Sequence, residues 1–139
     1  WIVFDIDYTH EENRLFPAII LAERTGIKYA FSNLAFEVWL ISHFKKCDQV
    51  LDMNGHERLL DEYLNSKKQG LTYEKNDVDS LKKYFIPYYK TAINNAKIVY
   101  QKKKVEHEKQ YGQNSQPRIW EWNSCTTVYK LVEALLLSE

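Results

Sequence analysis

Residues 1–7, WIVFDID, place two aspartates at the end of an apolar run. Trp1 to Phe4 predict a buried strand. Side chains alternate along a strand, so Asp5 and Asp7 would project from one face with their carboxylates roughly 6–7 Å apart. Two like charges so placed ask for a cation. Mg²⁺ fits, because it is held by one or two carboxylates and keeps waters and phosphate oxygens as its other ligands. The plain alternative is a strand that ends at a polar turn, and a D-x-D alone does not choose between the two.

The sequence that follows extends the strand into a unit. YTHEEN reads as a polar loop, and Asn13 to Arg24 carries Leu15, Phe16, Ile19, Ile20 and Ala22 at helical spacing, with Pro17 near the start. Gly26 reads as the helix stop and Ile27 to Phe31 as a second strand. A β-α-β crossover makes the two strands parallel and sets Asp5 and Ser32-Asn33 near their carboxyl ends, where open α/β sheets place ligands. Ala35 to Lys45 then predicts a mostly buried helix, with Glu37, Ser42 and His43 its polar residues before Lys45. The rest is predicted helical over about 56–65, 77–86, 88–111 and 126–137, with Pro87 as a break. NSKKQGLTYEKND and GQNSQPR are loops. Two strands do not make a stable sheet, so either RIWEW near Arg118 supplies a third or one precedes Trp1.

Composition narrows the class. The chain of 139 residues suits one domain. Nineteen basic residues balance nineteen acidic ones, so no whole-protein field draws it onto nucleic acid or an anionic membrane, and any such contact is local. PAIILA, VWLI and LVEALLL fall far short of the ~20 apolar residues of a membrane span. The expectation is a soluble, cytoplasmic protein without a membrane partner. Cys47 and Cys125 stand far apart without C-x-x-C spacing and read as free thiols. Four glycines and three prolines argue for a helix-rich domain over a turn-rich sandwich. A start at WIVF, without methionine, reads as an N-terminally incomplete chain.

Two family resemblances compete. An apolar strand followed by Asp5, Asp7 and Thr9 resembles the first motif of haloacid-dehalogenase-type phosphatases, and TGIKYAFSN is similar to the strand carrying their second motif. That resemblance implies Asp5 as nucleophile, Asp7 as acid and base, and Ser32 holding the phosphoryl group. It also demands a lysine and a late acidic pair. NDVD at 76–79 has the acids but no apolar strand before it, and no glycine follows Asp7.

SNLAFEVWLISHF at 32–44 resembles the signature of the RloB family, proteins of bacterial anti-phage and restriction-associated loci whose catalytic region resembles a Toprim domain. The matching residues are Asp5 and Asp7, Ser32 and Asn33, then Phe36, Glu37, Trp39, Leu40, His43 and Phe44. NSCTTVYKLVEALL resembles the family's terminal block, so the likeness spans nearly the whole chain. Ala35 stands where the family commonly has a cysteine. The resemblance implies an α/β fold with a small Toprim-like parallel sheet core, incomplete at its N-terminus, over residues 1–46, and a helix-rich part over 47–139. It implies Mg²⁺ (or Mn²⁺) on Asp5 and Asp7, cleavage of a nucleic-acid phosphodiester in abortive infection or other phage defence, and an ATPase partner. A Toprim domain also carries a glutamate ahead of its D-x-D. The chain begins after that point, so the expectation includes catalytic silence of the fragment. A non-catalytic sensor or partner-docking domain is the remaining alternative.

Individual residues carry two readings each. Glu37, charged within an apolar helix, must reach a partner or a metal. His43 lies about 120° round the helix from it and reads as a core histidine or a second catalytic group. Ser32 and Asn33 are expected first to cap the following helix, and to bind substrate second. Asn123, Ser124, Thr126 and Thr127 pose the same choice before the last helix. Lys67-Lys68, Lys82-Lys83 and Lys102 to Lys104 read as solvated faces or as nucleic-acid backbone contacts.

Overall fold

A computed structural model describes residues 1–7 and 12–138. The first unit is β1 (Ile2–Ile6), α1 (Glu12–Arg24) and β2 (Tyr29–Asn33). β1 and β2 run parallel, in register from Ile2 opposite Tyr29 to Ile6 opposite Asn33. Gly26, at φ +70°, ends the helix as expected. The second strand starts two residues later than the sequence suggests, because the Ile27 N–H donates to Ala22 O (2.9 Å) and stays with the helix end.

The third strand is not RIWEW. Ile119–Glu121 forms a 3₁₀ turn, and β3 is the dipeptide Cys125–Thr126, antiparallel to β2. Ile119 and Trp122 bury themselves beside Ile6, Ile19, Phe31 and Cys125. The Asn33 side-chain amide occupies the carbonyls of Ile119 (2.9 Å) and Trp120 (3.1 Å), which a ladder would need. The chain is thus an α/β protein with a mixed three-stranded sheet, ordered β1-β2-β3, and a helix-rich C-terminal part.

β1 is therefore an edge strand among the described residues, and its first residues are not buried. Trp1, Ile2 and Val3 are 46%, 48% and 47% exposed, and only Ile6 enters the core. The expectation of a buried strand over 1–4 fails because, among the described residues, β1 has a neighbour on one side only.

Behind the sheet lies α2 (Glu37–Ser42), shorter than the predicted 35–45 helix, with all six residues buried. A helix whose only polar residues are Glu37 and Ser42 belongs in a core. Leu40 and Ile41 pack with Leu60 and Leu64 of α3 (Met53–Lys67) and with Phe85, while Trp39 packs with Ala92 and Ala96 of α5 (Tyr89–Tyr111) and Val128 of α6 (Val128–Leu136). Pro87 does not separate two helices by a loop. The one-turn α4 (Val78–Ser80) passes through a π-helical turn (Leu81–Phe85) and a 3₁₀ turn (Ile86–Tyr88) straight into α5. No helix among the described residues is long and apolar enough to cross a membrane.

Candidate active site

Asp5 is the penultimate residue of β1, and Asp7 follows its last residue. In register with Ser32 of β2 and, through it, Thr126 of β3, Asp5 heads a polar row that crosses one face of the sheet. The opposite face carries Ile6, Phe31 and Cys125 against α1. Alternation thus separates the acidic end of β1 from the apolar core.

The Asp5 carboxyl is reached by solvent yet partly withdrawn from it. Burial raises its pKa above the ordinary carboxylate value, and a hydrogen bond from the Phe36 N–H opposes this. Glu37 and Asp7 raise it further, while Lys75 lowers it. Asp5 and Glu37 line one recess of about 260 Å³ with Phe36, Tyr73, Lys75 and Leu81.

Glu37 is 3% exposed. A carboxylate so enclosed costs several kcal/mol unless its oxygens are paired. The Tyr73 hydroxyl donates to Oε1 (3.0 Å) and Lys75 Nζ lies 3.2 Å from the same atom. Burial first, then the charge of Glu37, pushes the Tyr73 phenol well above its usual range, so it stays a donor. Both partners come from the connection between α3 and α4. Sequence reading missed them, because a loop has no periodicity; the available signal was the need of Glu37 itself for a partner.

The other candidate residues lie in hydrogen-bonded structure. Thr126 Oγ1 donates to Phe31 O (3.1 Å), so Ser32, 2.9 Å away, donates to Thr126. Thr127 Oγ1 accepts from the Phe31 N–H (2.9 Å). Asn33 Oδ1 is buried without a partner among the described residues. Ser32 and Asn33 do not cap α2, whose N-cap position is held by Phe36 without a side-chain cap bond. Thr127 holds the N-cap position of α6 without such a bond, but the Thr126 hydroxyl accepts from the Val128 N–H (3.3 Å) at the start of that helix. Ser32, Asn33, Thr126 and Thr127 also join the strands to one another and to the 119–120 turn.

Asn123 pairs with both backbone groups of Leu51, accepting from N–H (3.3 Å) and donating to C=O (2.8 Å). Ser124 Oγ meets Gln49 O (2.9 Å), Asn123 Oδ1 (2.7 Å) and His56 Nε2 (2.9 Å). Both oxygens only accept, so His56 Nε2–H donates to the serine. His43 does not line the recess. Its Nδ1–H donates to Trp39 O (2.9 Å), and its ring packs edge-on against Trp39 and Phe85. Burial holds its pKa below the ordinary histidine value. Thr9 lies outside the described residues.

The lysine clusters also have local partners. Lys102 pairs with Asp48 (2.7 Å), Lys103 donates to Asn123 O (2.9 Å), and Lys67 lies over the Tyr63 ring (5.0 Å).

Among the described residues no group of three or more His, Cys, Asp or Glu side chains is placed to hold a metal ion. The acids at the recess offer oxygen only, and Asp5 feels both Asp7 and Glu37. That chemistry suits a hard cation that needs few protein ligands, Mg²⁺ or Mn²⁺, and not zinc with its nitrogen and sulfur shell.

No curated protein and no solved structure gives a significant match to the chain. The family model described as RloB-like protein matches residues 1–135, and the chain belongs to the RloB-like family.

Proposed function

We propose that this RloB-like chain carries the metal-binding part of a Toprim-like nuclease that cleaves nucleic-acid phosphodiesters in bacterial anti-phage defence, in the cytoplasm and with an ATPase partner. The observation that carries this reading is that Asp5 shares its recess with the buried Glu37 at the carboxyl end of a parallel strand pair. Open α/β sheets bind ligands at that end. Asp5 and Asp7 would hold Mg²⁺ or Mn²⁺, which supplies Lewis-acid stabilisation of the charge that develops on the phosphate. Glu37, kept in place by Tyr73 and Lys75, is the group best placed to take or return a proton. Ser32, Asn33, Asn123, Ser124, Thr126 and Thr127 support the site through the strands and turns they join.

The phosphatase alternative asks Ser32 to hold a phosphoryl group. Its hydroxyl is buried and engaged by Thr126, which weighs against that role. The test is a panel of single-stranded DNA, duplex DNA, RNA and a small phosphomonoester, each incubated with the protein and Mg²⁺ or EDTA. Metal-dependent shortening of a polynucleotide supports the nuclease. Release of inorganic phosphate from the monoester alone points to the phosphatase.

A further inference from the structure

We propose that Lys75 is the resident counter-ion of the Asp5–Glu37 pair, and that a divalent cation enters by displacing its ammonium group, so Lys75 sets the metal affinity of the site. This rests on the metal-binding reading above. Glu37 Oε1 has two close partners of different character. Tyr73 is a neutral donor whose own backbone N–H is tied to Asp61 Oδ1 (2.7 Å). Lys75 is a full positive charge on a side chain that is 62% exposed.

The ammonium sits on a flexible four-carbon stem and returns readily to water, while the carboxylate it leaves is buried and needs a replacement charge, which an incoming dication supplies. The backbone around it need not follow: Tyr73 is tied on one side, and Asp77 caps α4 on the other by accepting from the Ser80 N–H (3.1 Å). Lys75 lines the same recess as the Asp5 and Glu37 carboxylates, with its ammonium 3.2 Å from Glu37 Oε1. It therefore occupies space that a dication shared by these acids would need. A cation there and Lys75 in its present place exclude one another, whereas the Tyr73 hydrogen bond is compatible with either.

Mn²⁺ titration of the full chain, followed by calorimetry or by loss of the free-ion paramagnetic resonance signal, tests this on wild type, Lys75→Met, Lys75→Arg and Asp5→Asn. Lys75→Met is expected to bind Mn²⁺ at least ~10-fold more tightly, about 1.4 kcal/mol. Lys75→Arg stays near wild type, and Asp5→Asn binds more weakly. Equal or weaker binding by Lys75→Met, beside measurable wild-type binding, overturns the inference and leaves the metal-binding reading standing. No binding by wild type, Lys75→Arg and Lys75→Met alike overturns that reading as well. A second readout covers loss of stability in Lys75→Met: saturating Mn²⁺ should raise its melting temperature more than that of wild type. An equal rise in both counts against the proposal.

Discussion

Tyr73 reaches across 36 residues of sequence to donate a 3.0 Å hydrogen bond to Glu37 Oε1, fastening the α3–α4 connection to the most enclosed helix of the fold. The bond joins a loop to a core helix and a neutral donor to a buried charge. It therefore bears on stability and on the recess together.

Tyr73→Phe removes only the hydroxyl. Hydrogen bonds to charged groups contribute about 1.5–3 kcal/mol, and leaving Glu37 with Lys75 as its remaining named partner should cost a loss in that range. Urea unfolding of the two proteins under identical conditions checks it. An unchanged midpoint would show that the phenol is dispensable.

Asn123 separates structural from substrate-binding roles. Its amide satisfies both polar groups of the Leu51 backbone. Asn123→Ala should therefore destabilise by about 2 kcal/mol through unmet backbone groups. KM for a cleaved polynucleotide should stay the same. A raised KM at unchanged stability would place Asn123 against substrate.

Two of the buried histidines, His43 and His56, predict an acid-side loss of stability. Burial lowers the pKa of both His43 and His56 in the folded chain, against the hydrogen bonds His43 donates to the Trp39 and Leu40 carbonyls and the opposing charges of Glu37 and Asp52 at His56. The unfolded chain then binds more protons below about pH 6.5, so stability is full above that pH and declines as pH falls toward the folded values. Asp5, with its raised pKa, contributes in the opposite sense at more acidic pH. Melting temperatures between pH 7.5 and 5.5 should fall for wild type and fall less for His43→Asn. Parallel slopes would show that His43 does not titrate differently in the two states.

Much of the N-terminal half was legible because its signals are local. The apolar run before Asp5, the helical spacing of Leu15, Ile19 and Ala22, and the stop at Gly26 each act within a few residues, and together they predict the parallel β-α-β unit. The errors come from partners distant in sequence. A two-residue strand at Cys125–Thr126 has no period to detect, and the 119–121 segment fails as a strand because Asn33 and the core claim it. Ser32 and Thr127 resemble caps in sequence, yet the strands pack closely enough to take their hydroxyls. At the recess, Asp5 and Glu37 were readable as acids needing company. That the company is Tyr73 and Lys75 depends on how α3 returns the chain to α2.

The most direct test of the central claim compares Mn²⁺- or Mg²⁺-dependent polynucleotide cleavage by wild type and Asp5→Asn at equal folded concentration. If Asp5 helps to hold the metal, kcat/KM falls at least ~100-fold, consistent with the several kcal/mol a metal contributes to such a barrier. Equal rates, with the same metal dependence in both proteins, would contradict the assignment of the metal to the end of β1.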